Sequence, residues 1–348
     1  MENKAKELFA FRKEKILETL GAFLLREENK ALLRLPWIDD LPEKLLEYTA
    51  GGKCLRGNLV ILGAELAGEK PVRFYPAAAA IELFQSGILM HDDIIDGDEM
   101  RRGKPSAHKA FAAVLKDDKA GEAMAVCLGD IALMLTFALL NETDCAPERL
   151  REATVYWGRE FAHVGAAEME DAYLSLNDIL PGEERIMALY EGKTAGYTFV
   201  VPLTTGLILG GADEELKKAV ARYALALGVL FQIQDDELGL FGDERALGKP
   251  VGSDIRENKK TIFWQKLMES ATEKEMRELK RIFGSQNLSA GEIDFVRELV
   301  EEKGIRKETD LIKEKLSFSA REALKAVPPG NTREIMEALI EISLKRKA

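Results

Sequence analysis

The chain is poor in the residues that build β-proteins and secreted scaffolds. Only 11 prolines and 7% aromatics occur in 348 residues, which suits a helical protein built from Ala, Leu, Glu and Lys. No alternating Val/Ile/Thr run bounded by turn pairs is present, so no strands are expected. Three cysteines, Cys54, Cys127 and Cys145, have no metal-type spacing and read as buried or incidental thiols of a reducing cytoplasm. A basic surface is missing too. Lys and Arg number 49 against 60 Asp and Glu, a net charge of −11, which argues against nucleic acid. It does not argue against phosphorylated small molecules, which a few local cations or a metal can hold. The N-terminal MENKAKELFAFRKEKILETL is amphipathic and lacks a signal-peptide core. The longest apolar run, AVCLGDIALMLTFALL (125–140), is short for a bilayer and carries Asp130, so no transmembrane segment is expected. Length alone suggests about two domains. The absence of any Ser/Gly-rich or Pro-rich linker favours a single domain over 1–348.

What is present is helical periodicity almost throughout, including 74–95, 120–140, 147–175, 183–192, 195–210 and 213–240. The spacing predicts an all-α bundle of long helices. PAAAAIELFQSGILMHDDIID is apolar over most of its turns and reads as a core helix.

That helix ends in HDDIIDGDEMRRGKPSAH (91–108). Asp92, Asp93, Asp96, Asp98 and Glu99 crowd together, with Arg101, Arg102 and Lys104 just behind. Asp92 and Asp96 are i, i+4 and share a face. Carboxylates at that spacing suit Mg²⁺, which takes oxygen ligands and keeps several waters. An exposed acidic helix end is the bland alternative, but the apolar helix before it favours a site. A second apolar helix ends the same way, in FQIQDDELG, with Asp235 and Asp236. Facing each other, two such ends would hold metal ions, and the metals would hold a polyanion. The cations fall beside glycines: Lys53 and Arg56 in GGKCLRG, Lys193-Thr194 after Gly192, Lys249 after Gly248, and Lys259. Lys53 and Arg56, at i, i+3, can clamp a diphosphate.

Taken together, these motifs resemble the trans-isoprenyl (polyprenyl) diphosphate synthases, over about residues 45 to 265. The matching elements are Asp92-Asp93-Ile94-Ile95-Asp96 with Arg101-Arg102-Gly103, Gly51-Gly52-Lys53 to Arg56, Lys193-Thr194, and Phe231-Gln232 leading to Asp235-Asp236. The resemblance implies a helical bundle around a central cavity, a homodimer, and condensation of isopentenyl diphosphate with an allylic prenyl diphosphate. It implies that Lys53, Arg56, Arg102 and Gln85 bind isopentenyl diphosphate. Asp92, Asp96 and Asp235 would ligate Mg²⁺, three ions by that resemblance, within catalytic motifs that include Asp93 and Asp236. Arg101, Lys193, Thr194, Gln232, Lys249 and Lys259 would grip the allylic diphosphate. Two positions depart from the family pattern. Gly239 stands where the second motif usually has Asp, and Ala167-Glu168 replaces the usual Gly-Gln, while Asp171 keeps its spacing.

The chemistry expected is ionisation of the allylic C–O bond, with metals and cations taking up charge on the leaving diphosphate. The isopentenyl double bond then attacks and a proton leaves, with the released diphosphate as base. The growing tail is expected below Asp92. Gly87 and Phe84 lie about 7.5 and 12 Å deeper along the helix at 1.5 Å per residue. Gly87 would leave the first depth open, Phe84 would form a floor, and Ile88 would narrow the channel. That predicts a product longer than C15, with C20 first and C25 next. Two competing readings are a class I terpene cyclase, which would lack the GGKxxR site, and a catalytically silent regulatory subunit.

Overall fold

The computed structural model describes residues 2–242 and 252–346. In chain order its helices are α1 (Glu2–Leu24), α2 (Glu27–Leu32), α3 (Leu41–Ala50), α4 (Leu55–Leu66), α5 (Tyr75–Ile95), α6 (Ala107–Leu115), α7 (Asp118–Leu140), α8 (Pro147–Leu176), α9 (Glu183–Tyr190), α10 (Val201–Gly210) and α11 (Glu214–Phe241). After these come α12 (Ser253–Arg256), α13 (Ile262–Ser270), α14 (Glu273–Ile282), α15 (Ala290–Glu302), α16 (Ile305–Leu324) and α17 (Asn331–Lys345). The all-α expectation is met. The chain divides into two compact units: Asn3–Trp157 with Pro202–Lys217, and Gly158–Val201 with the chain from Lys218 onward.

In the first unit α5 is the central helix. Pro76 opens it, where the missing N–H does no harm, and Ala77 to Gly87 are buried without a break. It packs against α3, α4 and α7. Helix α7 is longer than the apolar run alone suggested. By length and composition, with a mean hydropathy of 2.2, it could cross a bilayer, although 44% of that window is buried within the protein. Its buried residues include Gly121, Ala125, Leu128 and Ala132, and it packs on α5 and α6. Helix α6 was not anticipated, because nine residues give too little periodicity to stand out.

A short antiparallel hairpin was also not anticipated. Met100 pairs with Pro105 and Arg101 with Lys104, leaving Arg102-Gly103 as a two-residue loop. Both loop residues have positive φ, 54° and 77°, as a two-residue turn that matches strand twist requires. An arginine at positive φ is uncommon, so the Arg-Gly pair gave no ordinary turn signal.

The core of the second unit includes Ile233 and Leu240 of α11, Ile255, Phe263, Leu267, Ile282 and Val296. Between α9 and α10 the chain does not break at Gly192, as the sequence suggested. Residues Glu191–Val200 continue as a π-helix, a wide-turned form that tends to mark functional sites.

Candidate active site

The acidic end of α5 is arranged by helix rotation. Asp96 caps α5, and its N–H bonds the Asp92 carbonyl at 2.8 Å, so the two residues stack one turn apart. Asp93 lies about 100° round and is only 3% exposed. Arg101, from the hairpin, reaches it: Nε donates to Asp93 Oδ1 at 2.6 Å and Nη2 to Asp98 Oδ2 at 2.9 Å. Nη2 also lies 3.8 Å from Asp92 Oδ2. Burial pushes the Asp93 carboxyl up, and the Arg101 hydrogen bond opposes it.

Hairpin alternation sends Arg102 the other way. Its Nη1 donates to the Tyr48 carbonyl at 3.1 Å. A Cβ on Gly51 would meet Arg102 at 3.1 Å, and one on Gly52 would meet the guanidinium at 3.0 Å. The double glycine is therefore the seat of Arg102. Lys53 is exposed just beyond it, and Arg56 is half-buried in the first turn of α4. Glu82 of α5, 5% exposed, accepts from the Gly57 N–H at 2.7 Å and so satisfies an orphan donor of the α4 N-terminus. Sequence reading missed Glu82, since one acid in an apolar helix carries no motif. Gln85 is buried, and its Oε1 has no hydrogen-bond partner. A buried amide left unsatisfied suits a ligand contact. Beside Arg102 a cavity of about 770 Å³ includes Trp37, Tyr48, Gly51, Arg101 and Phe111 in its wall. Of the residues expected to bind substrate it takes in Arg101 and Arg102, but neither Gln85 nor the Asp92/Asp96 pair.

In the second unit a hydrogen-bonded chain runs across four elements, the π-helix, α11, α9 and α13. Thr194 of the π-helix donates to Gln232 Oε1 at 2.5 Å, and Gln232 Nε2 donates to Asp236 Oδ1 at 2.7 Å. The Tyr190 hydroxyl donates to Asp236 Oδ2 and accepts from the Ile262 N–H at 2.8 Å. Asp236 is 3% exposed, and burial followed by the neighbouring Asp254 charge pushes its carboxyl well up. Asp93 and Asp236 were expected to act within the catalytic motifs. Both turn inward onto protein partners, because the second member of each pair falls on the core face of its helix. Tyr190 was missed entirely, since a tyrosine two residues before a glycine carries no signal.

Asp235 is exposed, and Arg346 lies against it with Nη1 at 2.8 Å from Oδ1. The Arg346 guanidinium stacks 4.5 Å from the Phe231 ring centroid. Lys193 donates to Asp171 at 2.6 Å and to Glu168 at 3.0 Å, and Lys259 reaches Asp171 at 3.2 Å. Glu168 thus shares Lys193 with Asp171, as an acid where the family pattern has an amide. Lys249 lies outside the described residues.

Burial alone would push the Asp171 carboxyl up. The two ammonium groups outweigh it and hold its pKa below the ordinary value. A carboxyl depressed in the folded state adds stability above its unfolded pKa of about 3.9, and this is lost as pH falls through the folded value. Asp171→Asn should therefore be less stable than the parent at neutral pH, with a gap that closes below roughly pH 3.9. Urea unfolding across that range measures it; a gap independent of pH would show that Asp171 contributes packing rather than charge.

Of the residues expected to line the tail channel, Phe84 is 4% exposed and Ile88 half-buried. Gly87 does not leave open space. A Cβ there would meet the Gly129 carbonyl at 2.8 Å, Leu133 at 3.1 Å and Ala132 at 3.2 Å. Its missing side chain lets α5 and α7 approach, and the expected opening is filled by α7.

The proposed metal donors, Asp92, Asp96 and Asp235, are all carboxylates. That hard oxygen set fits Mg²⁺ and offers nothing to a thiol- or imidazole-seeking ion. Among the described residues no three His, Cys, Asp or Glu side chains converge into a finished ligand set.

Comparison with known proteins agrees with this geometry. The polyprenyl synthetase family model matches residues 39–302. A geranylgeranyl diphosphate synthase of Saccharolobus solfataricus is 34% identical over 309 residues, covering 86% of this chain and 88% of that protein. A farnesyl diphosphate synthase of Geobacillus stearothermophilus is also 34% identical, over 73% of this chain and 82% of its own. The crystal structure of a geranylgeranyl pyrophosphate synthase from Corynebacterium glutamicum, complexed with isoprenyl diphosphate and magnesium, superposes with a TM-score of 0.86. It is 27% identical and covers 99% of both chains. With its acidic helix ends, its Arg102 seat and this full-length likeness, the chain belongs to the polyprenyl synthetase family and is a prenyltransferase.

Proposed function

We propose that the protein catalyses Mg²⁺-dependent head-to-tail condensation of isopentenyl diphosphate with an allylic prenyl diphosphate, giving C20 first and C25 next. The observation that carries this reading is the division of labour within one hairpin. Arg101 turns to the α5 carboxylates and Arg102 to the Gly51-Gly52 loop. Adjacent arginines thereby serve two anion sites, as a reaction of two diphosphates needs.

Asp92, Asp96 and Asp235 are the residues to hold Mg²⁺, which supplies positive charge for the leaving diphosphate when bound. Lys193 and Lys259, steadied by Asp171, share that diphosphate. Lys53, Arg56, Arg102 and Gln85 bind isopentenyl diphosphate. Thr194 lies in the π-helix with its hydroxyl oriented by Gln232, and its oxygen can face the allylic cation. The C–O bond breaks, the isopentenyl double bond attacks the allylic carbon, and the released diphosphate takes the proton. Exposed apolar side chains on α7, Val126 and Met134 at 41% and 65%, support a homodimer.

The test is incubation of purified protein with Mg²⁺, isopentenyl diphosphate and farnesyl diphosphate, with products dephosphorylated and sized by mass spectrometry. A C20 alcohol that disappears with EDTA is expected. A folded sample that elongates no allylic primer would overturn the reading in favour of a silent subunit. Chain length rests on Phe84 and on the names of the relatives, now that Gly87 is filled. Phe84→Ala should lengthen the product, and since burial makes truncation cost about 3–5 kcal/mol, Phe84→Leu serves as the milder partner. An unchanged product distribution in both variants removes Phe84 as the floor.

A further inference from the structure

The loop Gly51-Gly52-Lys53 joins α3 to α4, and both of its flanks are tied to one face of α5. Before the loop, the buried Thr49 hydroxyl shares a hydrogen bond of 2.8 Å with the Ser86 hydroxyl. After it, the Gly57 N–H donates to Glu82 Oε1 at 2.7 Å. Glu82 and Ser86 are i, i+4, stacked one turn apart on α5, and both are buried. Gln85, with its buried and unpartnered Oε1, lies on the same turn.

The first turn of α4 has no cap of its own. Its N-cap residue, Cys54, is left-handed with φ 50° and makes no side-chain cap bond. Glu82 supplies the missing acceptor from another helix. The approach is close: a Cβ on Gly57 would meet the Ala78 carbonyl of α5 at 2.7 Å and Glu82 Cγ at 3.2 Å. Arg102 sits between the two ties, against Gly51 and Gly52. Burial pushes the Glu82 carboxyl up, and the Gly57 N–H with the Arg56 and Arg102 charges opposes the rise. Capping α4 would need one acceptor only. The second tie, at Thr49, fixes the other flank, so what is held is the loop itself.

We infer that Glu82 and Ser86 are positioning residues for isopentenyl diphosphate: by pinning both flanks of the loop they hold Lys53, Arg56 and Arg102 in register with Gln85. This rests on the function proposed above and deepens it. Both residues act through the loop rather than on the reacting atoms. The same helix carries Asp92 and Asp96, six and ten residues beyond Ser86. At 1.5 Å per residue they stand about 9 and 15 Å further along. One helix thereby sets the distance between the cations for one diphosphate and the carboxylates for the other.

The test compares the parent with Glu82→Leu, which removes the acceptor at similar volume, Glu82→Gln, which keeps it, and Ser86→Ala. Two readouts are taken. One is the pair of KM values for isopentenyl diphosphate and farnesyl diphosphate in elongation. The other is a calorimetric titration of isopentenyl diphosphate with no allylic primer present, which is free of turnover. Glu82→Leu should raise the KM and the dissociation constant for isopentenyl diphosphate by about 10- to 100-fold, the scale of loss when a binding group moves by about 1 Å. The KM for farnesyl diphosphate should stay close to that of the parent. Glu82→Gln should bind as the parent does, because its amide oxygen still accepts from Gly57. Ser86→Ala should raise the same two constants, by less. If Glu82→Leu lowers the melting temperature but leaves isopentenyl diphosphate binding in place, or weakens both substrates alike, Glu82 serves the fold alone and the proposal fails. Where Glu82→Leu does not fold, Ser86→Ala decides, and the absence of a selective loss there overturns the proposal. A parent protein that neither binds isopentenyl diphosphate nor elongates farnesyl diphosphate overturns the function itself, a result distinguishable from either.

Discussion

Arg101→Met should destabilise the protein by about 3–5 kcal/mol, the loss expected when one partner of a buried ion pair is removed. The side chains of Asp93 and Arg101 are 4% and 17% exposed. Arg101 is held by carboxylates from two segments, Asp93 and Asp98. Methionine fills much of the volume but leaves Asp93 without its cation, next to Asp92 and Asp98. The loss should therefore come from uncompensated charge more than from packing. Two comparisons separate these causes. Arg101→Met/Asp93→Leu should lose clearly less than Arg101→Met alone, because no buried charge is stranded. Chemical denaturation at neutral pH reads both. A loss of only about 0–1 kcal/mol for Arg101→Met would mean that the pair behaves as a solvated surface bridge, and that the α5 cluster does not depend on it.

Gly87→Phe should fail to give a well-folded enzyme with a shorter product. Viewed along one helix, position 87 reads as open channel, and an aromatic there would be a floor. In the folded protein even a Cβ meets the Gly129 carbonyl at 2.8 Å. A phenyl ring must push α7 away or leave its rotamer, and overpacking of this kind costs about 3 kcal/mol at the upper end of its usual range. The gain in helix propensity on replacing glycine is about 1 kcal/mol or less, so overpacking wins. Thermal melting should show a marked loss, and any folded fraction should keep the parent product distribution. A stable Gly87→Phe enzyme with a shorter product would show that the tail does pass this point and that α7 yields to it.

These two sites show how far local pattern carries. The i, i+4 spacing of Asp92 and Asp96 placed them on one face, and the structure keeps them one turn apart. The inward turn of Asp93 and Asp236 follows from the same helical geometry once the core side is known, but each pair alone does not say which member faces the core. The break expected at Gly192 became a π-helix, because α9 and α10 continue on either side of it and hold the segment helical. The hairpin was hidden by an arginine at positive φ, a conformation that local propensity disfavours.

The sequence by itself determined the chemistry: helical class, carboxylates at helix ends, and cations beside glycines. Those properties depend on neighbours within one or two turns. Tertiary structure alone decided which partners those groups meet. Arg101 and Arg102 part to opposite sides, Glu82 satisfies the start of α4, Tyr190 anchors Asp236, and Asp254 stands over Gly239. Each of these contacts joins separate elements, and it forms only when packing has fixed how those elements meet. A pattern along the chain records which face of a helix is apolar, but not which backbone will lie against it.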